Sequence, residues 1–145
     1  MEDKVELLLS GQYYKKFQEA VYADVMRDYT LTILDVRLLL FLDSHNTLNT
    51  ARDFVRLHHY TKSNVSKSIE TLIERGYLSR MSDPHDKRYI HLLIQPAARQ
   101  VLEKARSCHE QMIRVVFQGI TQEEIDVICR VAGRVHQNIA DALQH

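Results

Sequence analysis

The stretch TKSNVSKSIETLIERGYLSRMSDPHDKRYIHL, residues 61–92, decides the fold predicted for this chain. Its first half predicts an amphipathic helix over residues 61–75, because apolar residues recur there at the helical period. These residues are Val65, Ile69, Leu72 and Ile73. Thr61 is suited to cap the start of this helix, and Gly76 is suited to end it.

A tight two-stranded hairpin is predicted after the helix. Residues 77–81 and 89–94 have the composition of strands, and the DPHDK run at 83–87 has that of a turn. This arrangement suits DNA recognition, because Lys, Ser and Asn in the first turns of a helix can contact base edges in the major groove. A basic hairpin beside such a helix can reach the next minor groove.

The same stretch resembles the MarR family of winged helix-turn-helix regulators. The resemblance is carried by SNVS at 63–66, LIERGYL at 72–78 and above all DPHDKR at 83–88. The last run is similar to the family's wing, in which an Asp-x-Arg pattern recurs, and Asp86 and Arg88 fit that pattern. The resemblance covers nearly the whole chain. It implies a mainly α fold with a small β-hairpin wing, in which a winged helix-turn-helix DNA lobe is joined to an intertwined helical dimerisation region.

We expect the 145 residues to form a single domain. The winged lobe is predicted over about residues 32–94, and the dimerisation region over about residues 4–29 and 96–145. Residues 4–29 are expected to form one long helix despite Gly11. Narrow apolar seams in this helix and in the last two helices favour packing between two copies of the chain.

Local signals inside the winged lobe predict its smaller elements. Thr32 with Asp35 indicates the capped start of a buried helix, and residues 47–48 indicate a minimal strand. Asn49 is predicted to cap a third helix over about residues 50–57, which a turn at 58–60 connects to the helix at 61–75.

One further signal lies near the C-terminus. Thr121 with Glu124 has the pattern of a capping box at the start of the last helix.

The formal net charge is zero, but the charge is unevenly distributed. From Arg52 to His91 there are eight basic and five acidic residues, so this part carries +3 and the remainder −3. DNA affinity depends on neutralising phosphates, so the asymmetry favours a DNA lobe on an acidic support. The net charge of zero favours an alternative, in which the chain is a winged-helix protein-interaction module without specific DNA binding.

The resemblance implies a sequence-specific double-stranded DNA-binding transcriptional regulator, a homodimeric repressor of an inverted-repeat operator that a small ligand releases. The expected DNA contacts on the helix are Thr61, Lys62, Ser63, Asn64, Ser66 and Lys67, and those on the wing are Asp86, Lys87 and Arg88. The many aromatic residues indicate either core packing or a pocket for a phenolic or aromatic ligand. The candidate pocket residues are Tyr13, Phe17, Tyr29, Phe41 and His45.

No catalytic motif, glycine-rich phosphate loop or recognisable metal-ligand spacing is present, so we expect no enzyme activity and no metal or other cofactor. A cysteine redox-sensing regulator is a second alternative. It is disfavoured because Cys108 falls on an apolar seam, where burial makes a thiol inert, and no cysteine lies in the N-terminal helix. The longest apolar run, residues 38–42, is too short to cross a bilayer, so we expect a cytoplasmic protein.

Overall fold

The computed structural model of the protein describes residues 11–45, 47–58 and 60–144. The chain divides between Glu110 and Gln111 into two compact units. Its elements are α1 (Gln12–Val21), α2 (Ala23–Tyr29), α3 (Ile33–Ser44), α4 (Ala51–His58), α5 (Lys62–Glu74), β1 (Leu78–Ser82), β2 (Ile90–Ile94), a 3-10 turn (Pro96–Ala98), α6 (Arg99–Val116) and α7 (Gln122–Gln144). This architecture confirms the predicted mainly α fold with a small hairpin wing. None of the described helices is both long and apolar enough to span a membrane.

The predicted single helix over residues 4–29 is wrong in the part that the structure describes. Residues 4–10, like His145, lie outside the described residues. Gly11 has a φ of +66° just before α1, and Tyr22, with a ψ of 2°, separates α1 from α2. Tyr22 is buried, and its hydroxyl group lies 3.0 Å from Nδ1 of His109. Glycine adopts a positive φ without the strain that a Cβ causes, so Gly11 allows the chain to turn into α1.

Helices α3 and α5 form much of the core of the first unit. Thr32 caps α3 as predicted, because its Oγ1 accepts the Asp35 N–H at 3.2 Å while the Asp35 carboxylate accepts the Thr32 N–H at 2.8 Å. Asp35 also accepts a hydrogen bond from the Ser68 hydroxyl, which joins α3 to α5. The buried apolar side chains of the two helices are Val36, Leu38, Leu39, Phe41, Leu42, Val65, Ile69 and Leu72. Three residues of the predicted stripe of α5 are therefore buried in the core, and the fourth, Ile73, is half-buried.

Helix α4 is capped by Thr50, so the predicted cap at Asn49 is wrong. Thr50 Oγ1 accepts the Asp53 N–H at 3.2 Å, and the Asp53 carboxylate accepts the Thr50 N–H at 3.2 Å. Residues 47–48 form no strand. Instead, the Asn49 carbonyl oxygen accepts the Leu92 N–H at 2.9 Å, and Thr50 forms a β-bridge with His91. This pairing with β2 extends the backbone through Asn49 and leaves the next residue to cap the helix.

The turn predicted at residues 58–60 contains His59, which lies outside the described residues. Beyond it, Gly76 ends α5 as predicted, with a φ of +73°. The Gly76 N–H donates to the Ile73 carbonyl oxygen and the Tyr77 N–H to that of Leu72, both at 2.9 Å, which is a Schellman motif. The chain then enters the hairpin in a fixed direction.

The hairpin pairs β1 with β2 in antiparallel register, with Leu78 opposite Ile94 and Ser82 opposite Ile90. Each strand begins one residue later than predicted. An ion pair between Arg80 of β1 and Glu70 of α5 connects the exposed side of the hairpin to the helix. The register leaves residues 83–89 as the loop of the wing.

The second unit contains α7 and the end of α6. Thr121 and Glu124 form the predicted capping box, in which Thr121 Oγ1 accepts the Glu124 N–H at 3.2 Å and the Glu124 carboxylate accepts the Thr121 N–H at 2.8 Å. No described residue of α7 is buried. Its exposed large apolar side chains are Val127, Ile128, Val131, Ile139 and Leu143. Several apolar side chains of this helix are therefore exposed, while Ile125 and Val135 are half-buried.

Candidate nucleic-acid interface

The first two turns of α5 present a continuous polar surface. All six side chains predicted there to contact DNA are exposed: Thr61, Lys62, Ser63, Asn64, Ser66 and Lys67. Thr61 also caps the helix, because its Oγ1 accepts the Asn64 N–H at 3.2 Å. Since Val65 and Ser68 are buried on the opposite side, packing fixes which face of α5 points outward.

The wing holds the Arg88 guanidinium in solvent by a bidentate contact with Asp86. The Nε atom donates to Oδ1 at 3.0 Å and Nη2 donates to Oδ2 at 2.8 Å, while the Arg88 side chain remains 86% exposed. The hydrogen bond from Arg88 lowers the pKa of the Asp86 carboxyl group, so the partner stays ionised. Two parallel charge-assisted bonds fix a planar group more tightly than one bond does. Lys87 is exposed beside this pair.

Asp83 organises the base of the wing loop. Its Oδ1 accepts the backbone N–H groups of His85 at 2.8 Å and Asp86 at 3.0 Å. Its Oδ2 lies 2.8 Å from Nε2 of His91. The hydrogen bond with His91, followed by the two backbone bonds, lowers the pKa of the Asp83 carboxyl group. One carboxylate thus connects the loop that carries Arg88 to strand β2.

His91 and Asn49 are site residues that the sequence analysis did not predict. His91 Nδ1 lies 2.6 Å from Asn49 Oδ1, although the two residues are 42 positions apart. No local sequence motif predicts a contact between residues so far apart in the chain, because the contact forms only when β2 pairs with the start of α4.

An open groove of about 330 Å³ lies between the start of α4 and the wing. It is lined by Thr50, Ala51, Arg52, Arg88, Tyr89 and Ile90. Arg52 contributes to the positive charge of the lobe but was not among the predicted DNA contacts. The groove brings Arg52 to the same surface as Arg88, so this surface carries two cations suited to phosphate oxygens.

The structure brings two of the five candidate ligand-pocket residues into contact with each other. Phe41 and His45 stack with their ring centroids 4.3 Å apart, and they are the only two of the five in ring contact among the described residues. Phe41 is a core residue, and its ring also contacts Phe54 at a centroid distance of 5.2 Å. Tyr13, by contrast, is 72% exposed. Phe17 and Tyr29 are half-buried on α1 and α2.

The cysteines and potential metal ligands provide no second site. Burial raises the pKa of the Cys108 thiol, which disfavours the reactive thiolate form. Cys129 is exposed, and neither cysteine forms a disulfide. Within residues 11–45, 47–58 and 60–144, no three His, Cys, Asp or Glu side chains are grouped to hold a metal ion.

Comparison with known proteins relates this geometry to one family. The model of the MarR family matches residues 29–88 of the chain, which include α3, α4, α5, β1 and the wing loop. No curated protein matches the chain.

Several solved structures share the fold. A putative MarR family transcriptional regulator from Listeria monocytogenes, complexed with 26mer DNA, is 18% identical with a TM-score of 0.76, over 94% of this chain and 89% of that one. The S. aureus MepR–DNA complex is 14% identical with a TM-score of 0.73, over 96% of each chain. Bordetella bronchiseptica BpsR, whose DNA binding is regulated by 6-hydroxynicotinic acid, is 23% identical with a TM-score of 0.68, over 92% of this chain and 98% of that one. At these identities, the likeness establishes a common winged-helix fold.

Proposed function

We propose that the chain is a member of the MarR family, whose model matches its residues 29–88, and that it is a sequence-specific regulator of transcription that binds double-stranded DNA as a homodimer. One observation carries the proposal. The exposed polar turns of α5 stand beside a wing whose Arg88 is oriented by Asp86 and left in solvent. Structures of the same fold in complex with DNA support it.

Helix α5 is the reading element in this proposal. Its first two turns enter the major groove, where an Asn side chain pairs with adenine, a Lys ammonium approaches guanine, and Ser hydroxyls bond to bases or phosphates. Asn64, Ser63 and Lys67 are the corresponding exposed side chains. The buried stripe of α5 keeps these groups on one outward face.

The wing supplies the flanking contacts. Arg88 enters the minor groove, whose narrow A-tract form attracts a guanidinium, and Lys87 contacts phosphate. Arg52 lies across the groove from Arg88 and is suited to a phosphate of the same backbone. Arg52 therefore extends the set of contacts predicted from the sequence.

Homodimerisation accounts for the uncovered apolar face of α7. Exposed side chains such as Ile128 and Ile139 are covered when a second copy packs against them. In a symmetric dimer, the two α5 helices read half-sites of an inverted repeat about one helical turn apart, roughly 34–36 Å.

The decisive experiment selects duplexes from a random-sequence pool with the purified protein at near-physiological salt, followed by sequencing. Enrichment of an inverted repeat with half-sites about one helical turn apart is the expected result. If a folded, dimeric protein enriches no sequence, the proposed DNA-reading function is wrong, and a protein-interaction role replaces it.

Arg88→Ala tests the wing. We expect it to weaken binding to the selected duplex by about 1–3 kcal/mol, because the variant loses a groove contact. The measurement is fluorescence anisotropy at fixed ionic strength. Arg99→Ala, which removes one positive charge from an exposed residue at the start of α6, serves as the matched control and should change the affinity little. Equal effects of the two variants would contradict a specific role for Arg88.

We further propose that the protein is a repressor released by a small aromatic acid. The precedent is BpsR, a protein of the same fold whose DNA binding is regulated by 6-hydroxynicotinic acid. His45, which is half-exposed and stacks on the buried ring of Phe41, is the aromatic group at which the search for the effector site begins. A panel of phenolic and heteroaromatic acids, added to the duplex-binding assay, should contain a compound that weakens binding. If none changes the affinity or the melting temperature, the effector proposal fails.

A further inference from the structure

His91 lies between two oxygen atoms that belong to different parts of the lobe. Its Nε2 is 2.8 Å from Asp83 Oδ2, and its Nδ1 is 2.6 Å from Asn49 Oδ1. The side chain is only 23% exposed, and that of Asp83 is 25% exposed. Both ring nitrogens therefore face oxygen atoms in a partly shielded site.

The protonation state of the ring decides how many of these contacts are hydrogen bonds. A neutral imidazole carries one N–H group, whereas an imidazolium carries two. Only the protonated form of His91 donates to both oxygens. With the Asn49 amide in the orientation described, the neutral form directs one nitrogen lone pair at an oxygen lone pair, so one of the two contacts becomes repulsive. A neutral ring keeps both contacts only if the amide turns over and donates its N–H group to Nδ1.

These two contacts join the scaffold to the tip of the wing. On one side, Asn49 is held by the backbone bond between its carbonyl oxygen and the Leu92 N–H. On the other side, Asp83 accepts the backbone N–H groups that shape the loop, and Asp86 in that loop orients Arg88. A proton on His91 thus acts on Arg88 through Asp83 and the loop backbone.

The charged groups on the neighbouring elements are few and identifiable. The loop carries Asp83, His85, Asp86, Lys87 and Arg88, α4 carries Arg52, Asp53 and Arg56, and β1 carries Arg80 paired with Glu70. Asp83 is the one in direct contact with the His91 ring, and its lowered pKa keeps it anionic through the range in which histidines titrate.

We infer that His91 is a proton-dependent positioning residue of the wing, and that DNA affinity falls as pH rises through the histidine range. The inference rests on the proposed DNA binding, which it deepens by assigning a regulatory input to the same surface. Protonated His91 holds the loop and Arg88 in the binding geometry. Deprotonation of His91 breaks its hydrogen bond with either Asp83 or Asn49.

A second histidine of the lobe, His58, also contacts a charged side chain. His58 Nδ1 lies 3.2 Å from Nη2 of Arg37, and a guanidinium only donates, so this nitrogen is an acceptor. Protonation of His58 at Nδ1 would place two cations together and loosen the contact between α3 and α4. A variant that changes only the His91 contact separates the two effects.

Asp83→Asn is that variant. The amide oxygen still accepts the loop N–H groups, but the amide nitrogen presents a donor to His91 Nε2 and so favours the neutral ring. For the wild type, we expect the Kd for the selected duplex to rise about fivefold between about pH 5.5 and 8 at constant ionic strength. In D83N and in H91Q, the ratio of the Kd at pH 8 to the Kd at pH 5.5 should fall below about twofold. His85→Gln, which replaces an exposed histidine of the same loop, is the control and should retain the wild-type ratio.

A second readout uses the DNA-free protein. The backbone amide resonances of Asp86 and Arg88 should shift with pH together with the His91 ring resonances in the wild type, and should not do so in H91Q. A wild-type Kd ratio that persists in D83N and H91Q overturns the inference and leaves the proposed function intact. The inference is also overturned if the amide resonances of the loop do not shift together with the His91 ring resonances. That result would mean that Asn49 donates its amide N–H to a neutral ring. Absence of duplex binding at every pH rejects the proposed function, while the amide titration still decides the role of His91.

Discussion

Helices α5 and α7 have the same local design and opposite surroundings. Each begins after a threonine whose hydroxyl oxygen accepts an N–H three residues on, and each carries an apolar seam at the helical period. In α5, the seam residues Val65, Ile69 and Leu72 are buried within the first unit. In α7, no described residue is buried. An amphipathic pattern therefore predicts that a helix has a face to bury, but not what covers that face.

The difference has an energetic consequence. Complete burial of a Leu, Ile or Val side chain contributes about 1.5–3 kcal/mol, and α5 obtains this contribution inside its own unit. Most of the stability of a helix in a protein comes from packing of its amphipathic face, so α7 needs tertiary or quaternary contacts to be stable. A second copy of the chain is the proposed source of those contacts.

Leu72→Ala should produce the largest stability loss and tests whether α5 is a core helix. Leu72 has no exposed surface, so truncation removes buried methyl groups and leaves a cavity. We expect a decrease of about 2–5 kcal/mol in the free energy of unfolding, measured by denaturant titration. Leu72→Met, which roughly conserves volume, should lose less than about 1.5 kcal/mol. A loss below about 1 kcal/mol for L72A would mean that the α5 seam is not closely packed.

Ile128→Asp tests the other half of the comparison. Ile128 is 48% exposed in the protomer, but a carboxylate there would be buried without a partner at a dimer interface. We expect the dimer dissociation constant to rise about 100-fold or more, an effect of nearly 3 kcal/mol. Sedimentation velocity over a dilution series measures it. Arg130→Gln changes the net charge by the same amount on the opposite face of α7 and should leave the dimer intact. If I128D has the same dimer dissociation constant as the wild type, this face of α7 is not the dimer interface.

Features fixed by neighbouring residues could be predicted from the sequence. The cap at Thr61, the glycine at Gly76 and the capping box at Thr121 are decided within a few residues, and the structure has all three. The buried stripe of α5 and the hairpin follow from periodicity and turn composition. The exposure of the six polar side chains of α5 follows from the same periodicity. The Asp-x-Arg pattern located Asp86 and Arg88 on the wing, but their pairing was not predicted.

Features decided by distant contacts could not be predicted. Asn49 and Thr50 are both good caps, and pairing of the Asn49 carbonyl with Leu92 selects Thr50. The separation of α1 from α2 at Tyr22 accompanies a buried tyrosine whose hydroxyl contacts His109, 87 positions away. The link from Asn49 through His91 to Asp83 depends likewise on the pairing of β2 with the start of α4. Sequence spacing contains no signal for such contacts.

The N-caps of α5 and α7 provide the test with the smallest expected effect. Thr61→Ala and Thr121→Ala each remove a hydroxyl that accepts a backbone N–H, and each should cost about 1 kcal/mol of stability. Their effects on DNA should differ. Thr61 precedes the turns that carry the proposed base contacts, so T61A should raise the Kd for the selected duplex severalfold, whereas T121A should change it by less than about twofold. Thermal unfolding and duplex titration on the same samples measure both quantities, with Thr61→Ser as the variant that restores the cap. Because a loss of affinity that followed stability alone would be equal in the two variants, equal losses would show that the first turn of α5 has no special role in binding.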